Sequence, residues 1–224
     1  MRKHMKPFII GVAGGSGSGK STVTDQIIGA IGRENVSVFL QDNYYIDRSE
    51  LTLEEREKLN YDHPDAFDWS LLKKHVNDLC HGLQIEMPKY DFTTHLRKAQ
   101  TKLVVPEKVV IIEGILAFYD EAMANQMALR IFVDTSADVR LMRRLKRDIH
   151  SRGRSLDNVL KQYTQYVRPM HMRFVEPTKR RAHIIIPHGS NKAALEMIVS
   201  RIRSVINGDQ IKLDCYFEEE VSAI

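Results

Sequence analysis

The stretch Phe8-Ile9-Ile10-Gly11-Val12-Ala13-Gly14-Gly15-Ser16-Gly17-Ser18-Gly19-Lys20-Ser21 joins an apolar run to a glycine-rich turn that ends in a lysine and a hydroxyl. The apolar run predicts a buried strand, and the periodic segment Ser21–Ile31 behind it predicts a helix. Between them, Gly14 to Ser21 satisfies G-x-x-x-x-G-K-[ST] in the strand-to-helix context that gives the pattern its meaning. Glycines let successive backbone N–H groups turn inward on phosphate oxygens, and the helix N-terminus adds partial positive charge. Gly14, Gly15, Ser16, Gly17, Ser18, Gly19, Lys20, Ser21 and Thr22 are therefore expected to hold a nucleoside triphosphate. Lys20 is expected to reach the β- and γ-phosphates, and the Ser21 hydroxyl to hold Mg²⁺.

Outward from this loop, further apolar runs at Val36–Leu40, Val109–Ile112, Leu129–Val133 and His183–Pro187 also read as strands. None alternates polar with apolar, as expected of parallel strands covered on both faces. Helical patterns follow at Ala137–Ile149, with Leu141, Leu145 and Ile149 as its apolar stripe, and at Lys192–Ile206. The expected class is α/β, a parallel five-stranded sheet with flanking helices in one domain over residues 1–207. Residues 41–108 break the rhythm. They hold helical patterns at Thr52–Lys58 and Trp69–His81, then Ile85–Met87 and Thr101–Val105 around a polar tip, and read as an insertion forming an acceptor wall. The tail, residues 208–224, has no assignable role.

Two carboxylates fall at predicted strand ends. Glu113 closes Val109–Ile112, where burial of an acid is costly unless a cation or hydrogen bonds compensate it, so it is a candidate Mg²⁺ ligand. Asp42 follows Val36–Leu40, at the sheet edge where ligands of open parallel sheets bind. There it can accept a proton from an acceptor hydroxyl. The helix Ala137–Ile149 carries Arg140, Arg144 and Arg147, and Arg152 and Arg154 flank Gly153. A solvated face accounts for Arg140 and for Arg143 or Lys146. The run over 144–162 reads as an arginine-rich lid that clamps a transferring phosphate and excludes water.

Composition fits this reading. Hydrophobic residues at 43% and charged residues at 28% are globular values that exclude a disordered chain. The apolar stretches fall short of the ~18 residues a membrane span needs, and the run after the basic segment Met1 to Pro7 lacks the length of a signal h-region, so export is not expected. Cys80 and Cys215 alone suggest neither a disulfide framework nor a zinc site, so a reducing cytoplasm is expected. The net charge is +4, of which residues 209–224 contribute −4, leaving a body of +8. That excess favours anionic ligands, and phosphates account for it without nucleic acid. A GTP switch is disfavoured because Asn191-Lys192-Ala193-Ala194 lacks the acid of a base-reading motif, and the H-R-D segment of protein kinases is absent.

The loop stands in order with Gln41-Asp42-Asn43-Tyr44-Tyr45, Tyr61-Asp62-His63-Pro64-Asp65-Ala66-Phe67-Asp68, Tyr90-Asp91-Phe92-Thr93-Thr94-His95-Leu96-Arg97, Glu113-Gly114-Ile115-Leu116 and Arg147-Asp148-Ile149-His150-Ser151-Arg152-Gly153-Arg154. Together these resemble the uridine/cytidine kinase family over about Pro7 to Ile206. The resemblance implies a P-loop kinase fold and phosphorylation of the 5′-hydroxyl of uridine and cytidine by ATP or GTP, in pyrimidine salvage, by a homotetramer. It implies a catalytic carboxylate at Asp42, metal ligands at Ser21 and Glu113, and ribose contact by Asp62. It further implies that Tyr90 and His95 address the pyrimidine with Phe92 beside it. Arg144, Arg154 and Gln162 would complete the nucleoside pocket, and Arg147 and Arg152 would face the phosphates. Without the resemblance, His95 is a loop histidine and Tyr61 and Phe67 are core aromatics. The alternatives are a kinase of the same fold acting on another alcohol, such as ribulose 5-phosphate or pantothenate, and a non-catalytic nucleotide-binding or RNA-associated protein.

Overall fold

The computed structural model describes residues 6–187 and 191–208, so the 209–224 tail lies outside the described residues. Strand β1 (Phe8–Ala13) runs into the glycine turn, and helix α1 (Lys20–Ile31) leaves it. Gly19 caps the helix at φ 102°, a left-handed conformation open to glycine at little cost. After β2 (Val36–Leu40), a short 3₁₀ turn over Gln41–Tyr44 leads away from the sheet. Helix α2 (Leu53–Glu57) starts at a capping box in which Thr52 and Glu55 satisfy each other's backbone N–H. Asp68 caps α3 (Trp69–Cys80) by accepting from Leu71 N at 3.1 Å.

Two small antiparallel pairs follow, one nested inside the other: β3 (Ile85–Met87) and β6 (Lys102–Val104) enclose β4 (Tyr90–Asp91) and β5 (Leu96–Arg97). The chain then re-enters the central sheet as β7 (Val109–Glu113), passes α4 (Glu121–Asn125) and returns as β8 (Leu129–Asp134). Helix α5 (Ala137–Arg152) ends at Gly153, and α6 (Leu156–Gln162) continues through π-helical turns on either side of α7 (Arg168–Met170). The edge strand β9 (Ile184–Pro187) and helix α8 (Lys192–Asn207) complete the described chain.

The five strands lie parallel in the order β2-β7-β1-β8-β9. Consecutive residues feed opposite faces. Ile10, Val12, Ile111 and Ile131 pack with Val23 and Ile27 of α1 and Ile198 and Ile202 of α8. Ile9, Val110, Ile112 and Phe132 meet Phe39, Leu72 and Val76 on the other side. Both faces are buried, which is why the strands read as unbroken apolar runs. Truncating a side chain such as Ile111 to alanine would cost about 2–5 kcal/mol.

The expected strand and helix boundaries hold to within a few residues, with two differences. The edge strand begins at Ile184 rather than His183. More consequentially, the apolar stripe expected on α5 is not its buried face: Leu141 and Leu145 are half-buried and Ile149 is 37% exposed. The buried positions are Arg140, Arg144 and Asp148, so the solvated-face account of Arg140 is also overturned. The cause is what α5 packs against. Arg140 donates to Thr135 O at 2.9 Å, Arg143 to Ser18 O at 3.1 Å and Arg144 to Ser16 Oγ at 3.0 Å. A helix lying on a polar loop must offer donors where a helix lying on a core would offer leucines.

Candidate functional site

Lys20 stands at the first turn of α1 and folds back to donate to Gly14 O at 3.0 Å and Gly15 O at 3.2 Å. Burial pushes its ammonium below the usual lysine value, against the attraction of Glu113 and Asp42. The β1–β7 register pairs Val12 with Glu113 and so delivers that carboxylate to the loop. Ser21 Oγ donates to Glu113 Oε1 at 2.6 Å, and Thr24 Oγ1 to Glu113 Oε2 at 2.9 Å. A hydroxyl against one carboxylate is an oxygen donor set that suits Mg²⁺, which keeps several waters and takes its remaining ligands from phosphates. Among the described residues there is no group of three or more His, Cys, Asp or Glu placed to enclose a metal. Thr24 was not singled out by the sequence, and only the strand register reveals it.

A cavity opens beside the loop. Ser16, Asp42, Asp62, Tyr90, Phe92 and His95 line it with Arg144, Arg147, Arg152, Arg154 and Gln162. All the expected acceptor-side residues thus meet in one place, drawn from the end of β2, the insertion and the α5–α6 segment. Asp42 is set by its neighbours: Gln41 is buried and accepts from Leu116 N at 2.9 Å, and Asn43 Oδ1 accepts from Tyr90 N at 3.1 Å. Gly114 is required here, because a Cβ would overlap the Gln41 side chain. Asp62 is pushed up by burial, which Arg144 partly opposes and Asp42 reinforces.

His95 adopts φ 56°, the one described non-glycine residue with a left-handed backbone. Its ring stacks on Tyr61 at 4.7 Å, and its Nε2 accepts from Arg154 at 3.2 Å. Burial, then Arg154 and Arg152, lower its pKa to about 4, so the ring is neutral near pH 7. With Nε2 accepting, the proton sits on Nδ1. His95 Nδ1 and Asp42 Oδ1 are buried without a hydrogen-bond partner, and the buried Tyr61 and Tyr90 hydroxyls have only each other. Buried polar atoms are seldom left so, and these two at one cavity suit completion by a polar ligand.

Opposite, the Arg152 guanidinium lies 4.4 Å from the Phe92 ring centroid. Arg154 donates to Gln162 Oε1 at 3.1 Å, and Tyr166 OH donates to Lys58 O at 3.1 Å, which joins the α6 segment to the insertion. Phe67 is a core residue, whereas Tyr61, Tyr45, Ile115 and Tyr166 line the cavity without having been singled out for it. Asp148, which joins the arginines, was also missed. Its signal was available: it stands four residues from both Arg144 and Arg152 on one helix.

Residues 9–194 match the sequence profile described as "Phosphoribulokinase / Uridine kinase family". The uridine kinase of Deinococcus deserti is 55% identical over 207 residues, spanning 92% of this chain and 100% of that protein. The uridine kinase of Clostridium tetani is 50% identical over 202 residues, spanning 90% of this chain and 97% of that protein. Among solved structures, the D-glycerate 3-kinase of Cryptococcus neoformans superposes with a TM-score of 0.59 at 16% identity, over 75% of this chain and 79% of that one, a likeness of fold alone. Loop, carboxylates, arginine cluster and the extent of these matches agree, and the chain belongs to the phosphoribulokinase/uridine kinase family of kinases.

Proposed function

We propose that this kinase transfers the γ-phosphoryl group of ATP or GTP, with Mg²⁺, to the 5′-hydroxyl of uridine or cytidine, giving UMP or CMP in pyrimidine salvage. The observation that carries the reading is the unpartnered Asp42 oxygen, which shares one cavity with Asp62, Tyr90 and His95 on one side and four arginines on the other. Asp42 takes the proton of the 5′-hydroxyl as the new O–P bond forms and the bond from the γ-phosphorus to the bridging oxygen breaks, releasing ADP or GDP. Lys20, Arg147 and Arg152 stabilise the charge on the moving group. Ser21 and Glu113 would hold Mg²⁺, which would supply further positive charge to the transferring phosphates. Loop residues Gly14 to Thr22 hold the donor. Asp62 accepts from the ribose hydroxyls, while Tyr90, His95, Arg144, Arg154 and Gln162 position the nucleoside with Phe92 packed beside it. The reading includes a homotetramer working in the cytoplasm. Among the described residues no helix is long and apolar enough to cross a membrane.

A coupled assay of ADP release tests this, run with uridine, cytidine, ribulose 5-phosphate and pantothenate as acceptors. Release that depends on uridine and cytidine supports the reading. Release driven by one of the other alcohols, or independent of any acceptor, contradicts it.

A further inference from the structure

Asp148 has no solvent exposure, and every charged group paired with it is a cation. Arg147 Nε approaches Oδ1 at 2.8 Å, with Arg152 at 3.5 Å on the same oxygen. Arg154 approaches Oδ2 at 3.2 Å, with Arg144 at 3.5 Å. The main chain of the same residue is equally engaged, since its carbonyl accepts from the N–H of Gly153 and, at 3.1 Å, from that of Arg154. Asp148 thus anchors the left-handed turn at Gly153 and also gathers the side chains on both sides of that turn.

All four arginines line the cavity, and Arg144 and Arg147 also reach Ser16 Oγ of the phosphate loop, at 3.0 and 3.5 Å. Four guanidinium groups drawn this close repel one another, and a region of low dielectric magnifies the repulsion. One buried carboxylate among them opposes it, yet leaves the cluster with an excess of positive charge toward the cavity. Burial pushes the Asp148 carboxyl up, but the arginines outweigh burial and hold it below the usual aspartate value.

We propose that Asp148 is a positioning residue for phosphoryl transfer: it touches no substrate, and it holds the four arginines in the arrangement that meets the phosphates and the nucleoside before either binds. The proposal rests on the nucleoside-kinase reading. A parent enzyme without uridine-dependent ADP release would defeat that reading before Asp148 is tested.

Given an active parent, the experiment is steady-state kinetics of Asp148→Asn with both substrates saturating, on preparations whose folded fraction is fixed by thermal melting. Asparagine keeps the size of the side chain and removes its charge. Misplacing charged groups by about 1 Å costs on the order of 10²-fold, and a kcat loss approaching that size is expected, together with a smaller rise in the uridine KM. A purely structural role would lower the melting temperature and leave kcat per folded molecule unchanged, which would overturn the proposal.

The double variant Asp148→Asn/Arg152→Gln removes one charge of each sign and leaves the net charge of the cluster unchanged, so it carries the same comparison should the single variant not fold. Relative to Arg152→Gln alone, it is expected to lose roughly another tenfold in kcat, because three arginines still lack their anchor. Equal kcat in these two variants, or failure of both Asp148 variants to fold, would make Asp148 structural and sink the proposal.

Discussion

The donor side and the acceptor side of this site are built in opposite ways. Around the phosphate loop most polar side chains have protein partners: Lys20 holds two loop carbonyls, and Ser21 and Thr24 both donate to Glu113, while the buried Ser18 hydroxyl has none. Around the cavity, Asp42 and His95 each leave a buried polar atom unpaired, and the Tyr61 and Tyr90 hydroxyls have only each other. The donor side comes from two neighbouring strands and one helix turn, whereas the acceptor side is assembled from segments as far apart as Asp42 and Gln162. A loop whose lysine and helix-start hydroxyls are already held can be preorganised for any triphosphate. Discrimination among acceptors is left to groups whose hydrogen bonds the substrate must complete.

That contrast breaks most visibly at Asp42. Asp42→Asn removes the proposed proton acceptor and preserves the shape of the cavity, so turnover should fall by roughly 10²-fold or more at nearly unchanged uridine affinity. Steady-state rates and calorimetric titration on one preparation would show it. Turnover within a few-fold of the parent would mean that Asp42 is not the base.

Sugar selectivity sharpens the comparison next. A carboxylate that accepts from both ribose hydroxyls is partly stranded by a 2′-deoxy substrate, so uridine should exceed deoxyuridine by about ten- to a hundredfold in kcat/KM. Asp62→Ala should depress uridine sharply and deoxyuridine much less. Equal depression of the two would reduce Asp62 to a structural role.

On the donor side the expected effects run through the metal. Glu113→Ala and Ser21→Ala should each raise the Mg²⁺ needed for half-maximal rate, with Glu113 the larger because it carries a full charge. Titrating Mg²⁺ at fixed ATP reads this directly. An unchanged requirement in both variants would remove them from the metal site.

The smallest expected effect concerns stability. His95 titrates near 4 in the folded chain and near 6.5 unfolded, so between those values the unfolded state binds the extra proton. Its contribution is therefore present above about pH 6.5 and is lost as the pH falls toward 4. His95→Asn should flatten part of the fall in melting temperature across that window, although His171, also lowered to about 4, will keep its own share. A melting profile of identical slope with and without His95 would contradict the assignment.

The central sheet was legible because strands buried on both faces are apolar throughout, and Val109–Glu113 or Phe8–Ala13 can hardly be read otherwise. The loop was legible because its chemistry is contiguous. The buried face of α5 was not: Leu141, Leu145 and Ile149 have core periodicity, but the polar surface of the phosphate loop, invisible to periodicity, decides which side faces inward. Nor was the helical run after Gln162, where Pro169 withholds an N–H and the chain widens into π-helical turns around it. Tyr61 and Tyr166 reach the cavity through contacts between distant segments, which local spacing does not encode. Motif resemblance brought the acceptor-side residues forward, and spatial convergence supplied what each can do there.

The central claim is that this cavity presents a nucleoside 5′-hydroxyl to the phosphoryl group held by the loop. Product analysis by ³¹P NMR after incubation with uridine and Mg·ATP tests it most directly. The account predicts one UMP per ADP, phosphorylated at the 5′ oxygen. ADP without UMP, or phosphate on the 2′ or 3′ oxygen, would contradict it.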